Sequence, residues 1–100
     1  MIRTEIAALH RDFPHYSGKT VTVCGWGKPI RDSKALGFIE LNDGSCFKNL
    51  QVVFEDAKVA NFKEVTKYNV GSAIIVTGEV VLTPGAKQPY EIHAAEITLE

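Results

Sequence analysis

Long apolar runs are missing from this 100-residue chain, and nothing approaches the ~20 consecutive apolar positions of a membrane span. The opening MIRTEIAALHRDF carries acids and a histidine inside its apolar stretch, so it does not read as a secretory signal. Cysteine is scarce. Cys24 and Cys46 are the only two, and neither they nor His10, His15 and His93 stand at zinc-ligand spacing. The expectation is no metal site and two reduced thiols in the cytoplasm. No linker, repeat or low-complexity segment divides the chain, so it reads as one soluble globular domain of common size.

Catalytic signatures are missing as well. GWGKP lacks the Walker spacing, and GEV is no part of a dinucleotide fingerprint. Ser17, Ser33, Ser45 and Ser72 all lie in turn-like contexts, and no Ser-His-Asp or Cys-His set is legible. Glu55–Asp56 is a neighbouring carboxylate pair at an expected helix start. No catalytic residue is expected in this chain.

A strong charge of one sign is also absent, the net charge being −1. Its distribution is uneven. Residues 19–54 hold Lys19, Lys28, Arg31, Lys34 and Lys48 against Asp32, Glu40 and Asp43, a balance of +2, while residues 55–100 carry −3. A polyanion would therefore meet the first half of the chain.

What is present is period-two alternation. Ile2, Ile6 and Leu9 have helical spacing, and Thr4 is placed to cap, so a helix is expected over residues 4–11. TVTVCGWG begins a strand, with Val21 and Val23 inward and Gly25 continuing that face. Gly25 and Gly27 mark a bulge or sharp bend of the kind a barrel corner needs. RDSKALG reads as a hairpin loop, and FIEL as a second strand with Phe38 and Glu40 on one face and Ile39 and Leu41 on the other. NDGS is a tight turn and FKNLQVVF a third strand. Val59, Phe62, Val65 and Tyr68 step by three, predicting a helix over 55–68 that Asp56 could cap. Residues 70–83 form a fourth strand, PGAKQP a turn, and YEIHAAEITL a fifth strand. The apolar phase of the fifth strand slips between Ala94 and Ile97, which a bulge would explain.

Helix, three strands, helix, two strands is the order of an all-β, five-stranded OB-fold Greek-key barrel with minor helices. The expected boundaries are an N-terminal helical extension over 1–17 and the barrel over 18–100. The expected core is Val21, Val23, Ile39, Leu41, Val52, Phe54, Phe62, Val65, Ile74, Val76, Val80, Ile92 and Ile97.

In this architecture strands two and three and the adjoining loops bind oligonucleotides. Phe38 is the aromatic left over once Ile39 and Leu41 fill the core. It either packs under a loop or offers a stacking platform worth about 1–3 kcal/mol per base. Arg31 either forks onto a base edge or phosphate, or pairs with Asp32. The Gln51 amide carries donors and an acceptor and could read a base edge; a solvated strand position is the alternative. Lys28, Lys34 and Lys48 are surface lysines that could meet phosphates. Trp26 is expected in the core or at the barrel end, a stacking platform being the alternative, and only one of Glu91 and His93 is expected to face the groove.

GW at 25–26, IRDSK at 30–34, GFIELNDGS at 37–45 and NLQVVF at 49–54 together resemble the anticodon-binding domain of asparaginyl-tRNA synthetases. VTGEVVLTPGAKQPYEIHA (76–94) is similar to that domain's closing strands, and the likeness runs from about residue 18 to 98. Aspartyl- and lysyl-tRNA synthetases share the barrel and the GW…RD signature; the RDSK…GFIELNDGS wording favours the asparaginyl member.

The resemblance implies roles. Phe38 falls where the family stacks an aromatic on the central uridine of the GUU anticodon, and Gln51 where a glutamine hydrogen-bonds that base. Arg31 falls at the arginine of the RD pair that holds the anticodon loop, and Glu91 on the strand that supplies further contacts. Gly27 and Lys28 depart from the usual Val-Arg, weakening one expected contact, and Pro29 stiffens the strand end. The resemblance further implies a tRNA partner, a cytoplasmic location, no cofactor in this domain, and a parent ligase whose separate catalytic domain uses ATP and magnesium. That parent is expected to be a homodimer and the isolated domain a monomer. A class II catalytic domain has no counterpart here, so the chain is expected to be either an excised domain of such a ligase, which the abrupt ending ITLE favours, or a freestanding relative of that domain. A freestanding OB module for single-stranded nucleic acid, or for a protein partner, is the alternative.

Overall fold

The computed structural model describes residues 3–31, 35–45, 48–60, 62–65, 72–86 and 88–99, without the side chains of residues 28–31, 63, 64 and 72. In chain order the elements are α1 (Ile6–Tyr16), β1 (Thr20–Arg31), β2 (Leu36–Asn42), β3 (Leu50–Glu55), α2 (Phe62–Val65), β4 (Ser72–Leu82) and β5 (Tyr90–Leu99). The strands close a barrel in the order β1-β2-β3-β5-β4, with β4 returning to β1. Neighbours run antiparallel except β3 and β5. This is the expected five-stranded OB-fold arrangement.

One long strand makes closure possible. The first part of β1 pairs with β4, from Thr20↔Glu79 to Gly27↔Ser72, and its last part pairs with β2, from Trp26↔Asn42 to Arg31↔Gly37. The change of partner occurs at Trp26 and Gly27, beside the two glycines. A Cβ on Gly25 would stand 2.5 Å from the Asn42 carbonyl oxygen, so only glycine lets the two backbones approach this closely. Strand β5 carries the bulge its sequence announced. Thr77 pairs with Glu96 but Gly78 pairs with Ala94, leaving Ala95 over and restoring Ala94 and Ile97 to the interior.

Every residue expected in the core is buried, and Ile6, Leu9, Leu50, Val53, Val59, Tyr90 and Ala94 join them. Burying each large aliphatic or aromatic side chain contributes about 1.5–3 kcal/mol, so the core sets the strand registers. No described helix is long and apolar enough to cross a membrane.

Four expectations are corrected. First, Trp26 is not a core residue: it is 55% exposed, because β1 alternates Val23, Gly25 and Gly27 inward and so turns position 26 out. Second, the helix expected over 55–68 is, among the described residues, the single turn α2. Residues 56–58 form a turn in which Asp56 does not cap α2; its N–H instead donates to the Ala35 carbonyl at 2.9 Å. Residues 66–71, with Tyr68 and the expected start of β4, lie outside the described residues. Third, α1 runs beyond residue 11. Asp12 leaves helical geometry at φ −126, ψ 30, and a second turn begins there, putting Pro14 near a turn's start, where its missing N–H is tolerated.

The cap of α1 is also not the expected Thr4. The N-cap position is Glu5, and it makes no side-chain cap bond. The first N–H groups of a helix have no partner of their own, and here the β2–β3 turn serves them. Ile6 N–H donates to Asp43 Oδ2 and Ala7 N–H to Ser45 Oγ, both at 2.9 Å. The Tyr90 hydroxyl donates to His10 Nδ1 at 2.8 Å, and His10 Nε2–H donates to the Lys48 carbonyl at 3.1 Å, fastening the middle of α1 to β5 and to the loop before β3.

Candidate nucleic-acid interface

Strand register builds the outer face row by row. Lys28 pairs with Glu40, and Glu40 with Gln51. One step along, Ile30 pairs with Phe38, Phe38 with Val53, and Val53 with His93 of β5. Glu91 lies two residues before His93 and shares its face. The alternate positions Ile39, Leu41, Val52 and Ile92 are each 0% exposed. The outer face of β1, β2, β3 and β5 therefore gathers Phe38, Gln51 and Glu91 with the backbone position of Lys28.

Phe38 is half-buried and lies outside the core cluster, on the face opposite Ile39. Gln51 is half-buried across the ladder from Glu40. His93 Nε2–H donates to Glu91 Oε2 at 2.8 Å, and the Glu91 side chain is 19% exposed. Both residues thus face outward together, against the expectation that only one would; positions two apart on a strand point the same way. A carboxylate held by an imidazole N–H is oriented, and its remaining lone pairs can accept from a ligand.

Arg31 ends β1 opposite Gly37, but its side chain and that of Lys28 lie outside the described residues, as does Lys34. Lys48 is exposed in the β2–β3 loop. Trp26, which residue type misassigned, stands on this same outer face at the Trp26↔Asn42 pair. The signal that finds it is strand parity: position 26 alternates with two glycines that continue the inward face.

Among the described residues no group of three or more His, Cys, Asp or Glu side chains could hold a metal ion. The Asp43 carboxyl is displaced below its ordinary value. Burial pushes it up, but the Ser45 hydroxyl and the Ile6 and Ser45 N–H groups outweigh that and hold it lower. It anchors α1 and lies at the edge of the face. What the face can do is stack and hydrogen-bond flat, polar-edged ligands.

Comparison with known proteins places the chain in a family. Residues 21–100 match the model of the tRNA anticodon family, described as an OB-fold nucleic acid binding domain. The chain is 57% identical over its full length to the asparagine–tRNA ligase of Acetivibrio thermocellus, and 53% identical to that of Bacillus cereus. It spans only about a fifth of these curated relatives, 22% and 21% of their lengths. Asparaginyl-tRNA synthetase from Pyrococcus horikoshii, complexed with asparaginyl-adenylate, has the same fold: the TM-score is 0.83 at 21% identity, over 99% of this chain and 22% of that one. An OBody bound to hen egg-white lysozyme shares it too, with a TM-score of 0.77 at 22% identity over 100% of this chain and 95% of that one. With its closed five-stranded barrel and a family match over residues 21–100, the chain belongs to the tRNA anticodon family of OB-fold nucleic acid binding domains.

Proposed function

We propose that this chain is the anticodon-reading domain of an asparagine–tRNA ligase, binding the GUU anticodon loop and supplying discrimination, with no chemistry of its own. The observation that carries this reading is Phe38, turned outward beside Gln51 while Ile39 and Leu41 occupy the core. The full-length identity to asparagine–tRNA ligases supports it.

In this reading the central uridine lies on the Phe38 ring. The Gln51 amide meets its base edge, donating to a uridine carbonyl and accepting from its N–H. Glu91, oriented by His93, accepts from a neighbouring base. Arg31, Lys28 and Lys34 hold the loop backbone. A wrong base leaves these polar groups unsatisfied, at about 1–3 kcal/mol each. ATP and magnesium belong to the catalytic domain of the longer ligase, which works as a homodimer in the cytoplasm.

A titration tests this reading. The domain is expected to bind an asparagine anticodon stem–loop more tightly than poly-pyrimidine DNA, with affinity falling as salt rises. Equal affinity for both would make it a generic single-strand binder. RNA binding that is absent at every salt concentration would make it a protein-interaction module.

A further inference from the structure

Trp26 is the chain's only tryptophan and is 55% exposed, more than any other large apolar side chain among the described residues. It sits on the outer face that carries Phe38. Its ladder partner on β2, Asn42, lies four residues from Phe38, and its own position on β1 lies four from Ile30, the partner of Phe38. At about 3.3 Å per residue the two backbone positions lie roughly 13 Å apart along the strands. The row between them is Lys28, Glu40 and Gln51. An aromatic at each end of a polar row is the layout of a face that follows a single strand over several nucleotides.

A stacked neighbour lies about 3.4 Å away in a nucleic-acid strand, so the base on Trp26 cannot be the immediate stacking neighbour of the base on Phe38. The surroundings of the ring suit a ligand. The segment before α1 is held on β1 by the Thr4 N–H, which donates to the Thr22 carbonyl at 2.7 Å. Between that segment and β1 lies a recess of about 250 Å³, lined by Arg3, Glu5, Cys24, Trp26, Asp43 and Ala73. Asp43 is committed to Ile6 and Ser45, and Arg3 and Glu5 bring one charge of each sign.

We infer that Trp26 is a second stacking platform, which takes a loop base just outside the anticodon triplet while the central base lies on Phe38. This rests on the anticodon-reading proposal and extends its footprint beyond the three coding bases. Trp26 fixes where the loop leaves the protein; it reads no base edge.

Its fluorescence reports on the site alone. The domain is titrated with the asparagine anticodon stem–loop while the anisotropy of labelled RNA reports binding independently. A saturating quench of tryptophan emission that tracks the anisotropy is expected. Making either the base 5′ of the triplet or the base 3′ of it abasic should abolish the quench for one of the two and weaken binding about 5-fold or more. W26A should lose the same factor with its melting temperature unchanged, and W26F should keep most of the affinity. RNA that binds without altering tryptophan emission, or that W26A binds as well as the parent, overturns the inference while leaving Phe38 as reader; the ring would then belong to a protein partner. No RNA binding at all removes both proposals together.

Discussion

Ile6 donates its backbone N–H to Asp43 Oδ2 over 2.9 Å, across 37 residues of chain. Ser45 takes the next N–H, from Ala7, and donates its own hydroxyl to Asp43. The turn joining β2 to β3 is thereby also the cap of α1, so the helix is built into the same end of the barrel as the face it borders. Asp43→Ala is expected to lower stability by about 0.5–2 kcal/mol, the usual loss for a helix cap, as read by urea denaturation.

The same carboxylate sets a pH dependence. Its folded value lies below the ordinary 3.8, because its hydrogen bonds outweigh the opposing effect of burial. The unfolded chain therefore takes up the proton first, and stability falls with pH. The contribution is complete above the unfolded value and is lost as pH drops through the lowered folded one. The melting temperature of the parent should fall more steeply below about pH 4 than that of Asp43→Asn. Parallel curves would show that other carboxyl groups govern acid unfolding.

Gly37 precedes Phe38 and faces the interior. A Cβ there would run into the Phe54 ring, which is itself 0% exposed and packed on Phe62. Gly37→Ala is expected to cost about 1–3 kcal/mol as an overpacked core and to weaken RNA binding by moving the strand that holds Phe38. Denaturation and RNA titration of the same variant check both halves.

Gln51→Ala should leave the fold intact, since the side chain is half-buried on the outer face. It should bring the affinities for a uridine-centred loop and a cytidine-centred loop closer together. If cytidine is still rejected as strongly as before, Gln51 does not read that base.

The barrel was legible in the sequence because its strands alternate cleanly. Ile39, Leu41, Val52 and Ile92 announce one face by period two, and the slip between Ala94 and Ile97 announces the bulge at Ala95. What was not legible depended on distant partners. Nothing near Ile6 marks Asp43 and Ser45 as its cap, since that contact exists only after the barrel closes. Three-residue spacing at Val59, Phe62 and Val65 promised a long helix. The same three side chains are buried, but among the described residues α2 is a single turn, and Val59 lies outside it: spacing records burial and not hydrogen bonding. Trp26 was misread because its residue type was weighed above its strand parity. Phe38 was placed correctly because parity and the filled core agreed.

The most direct test of the account is the affinity of Phe38→Ala for the asparagine anticodon stem–loop, measured beside the parent domain at one salt concentration. Loss of about 1–3 kcal/mol, the worth of one stacked base, with an unchanged melting temperature is the expected result. Equal affinity of the two proteins would contradict it.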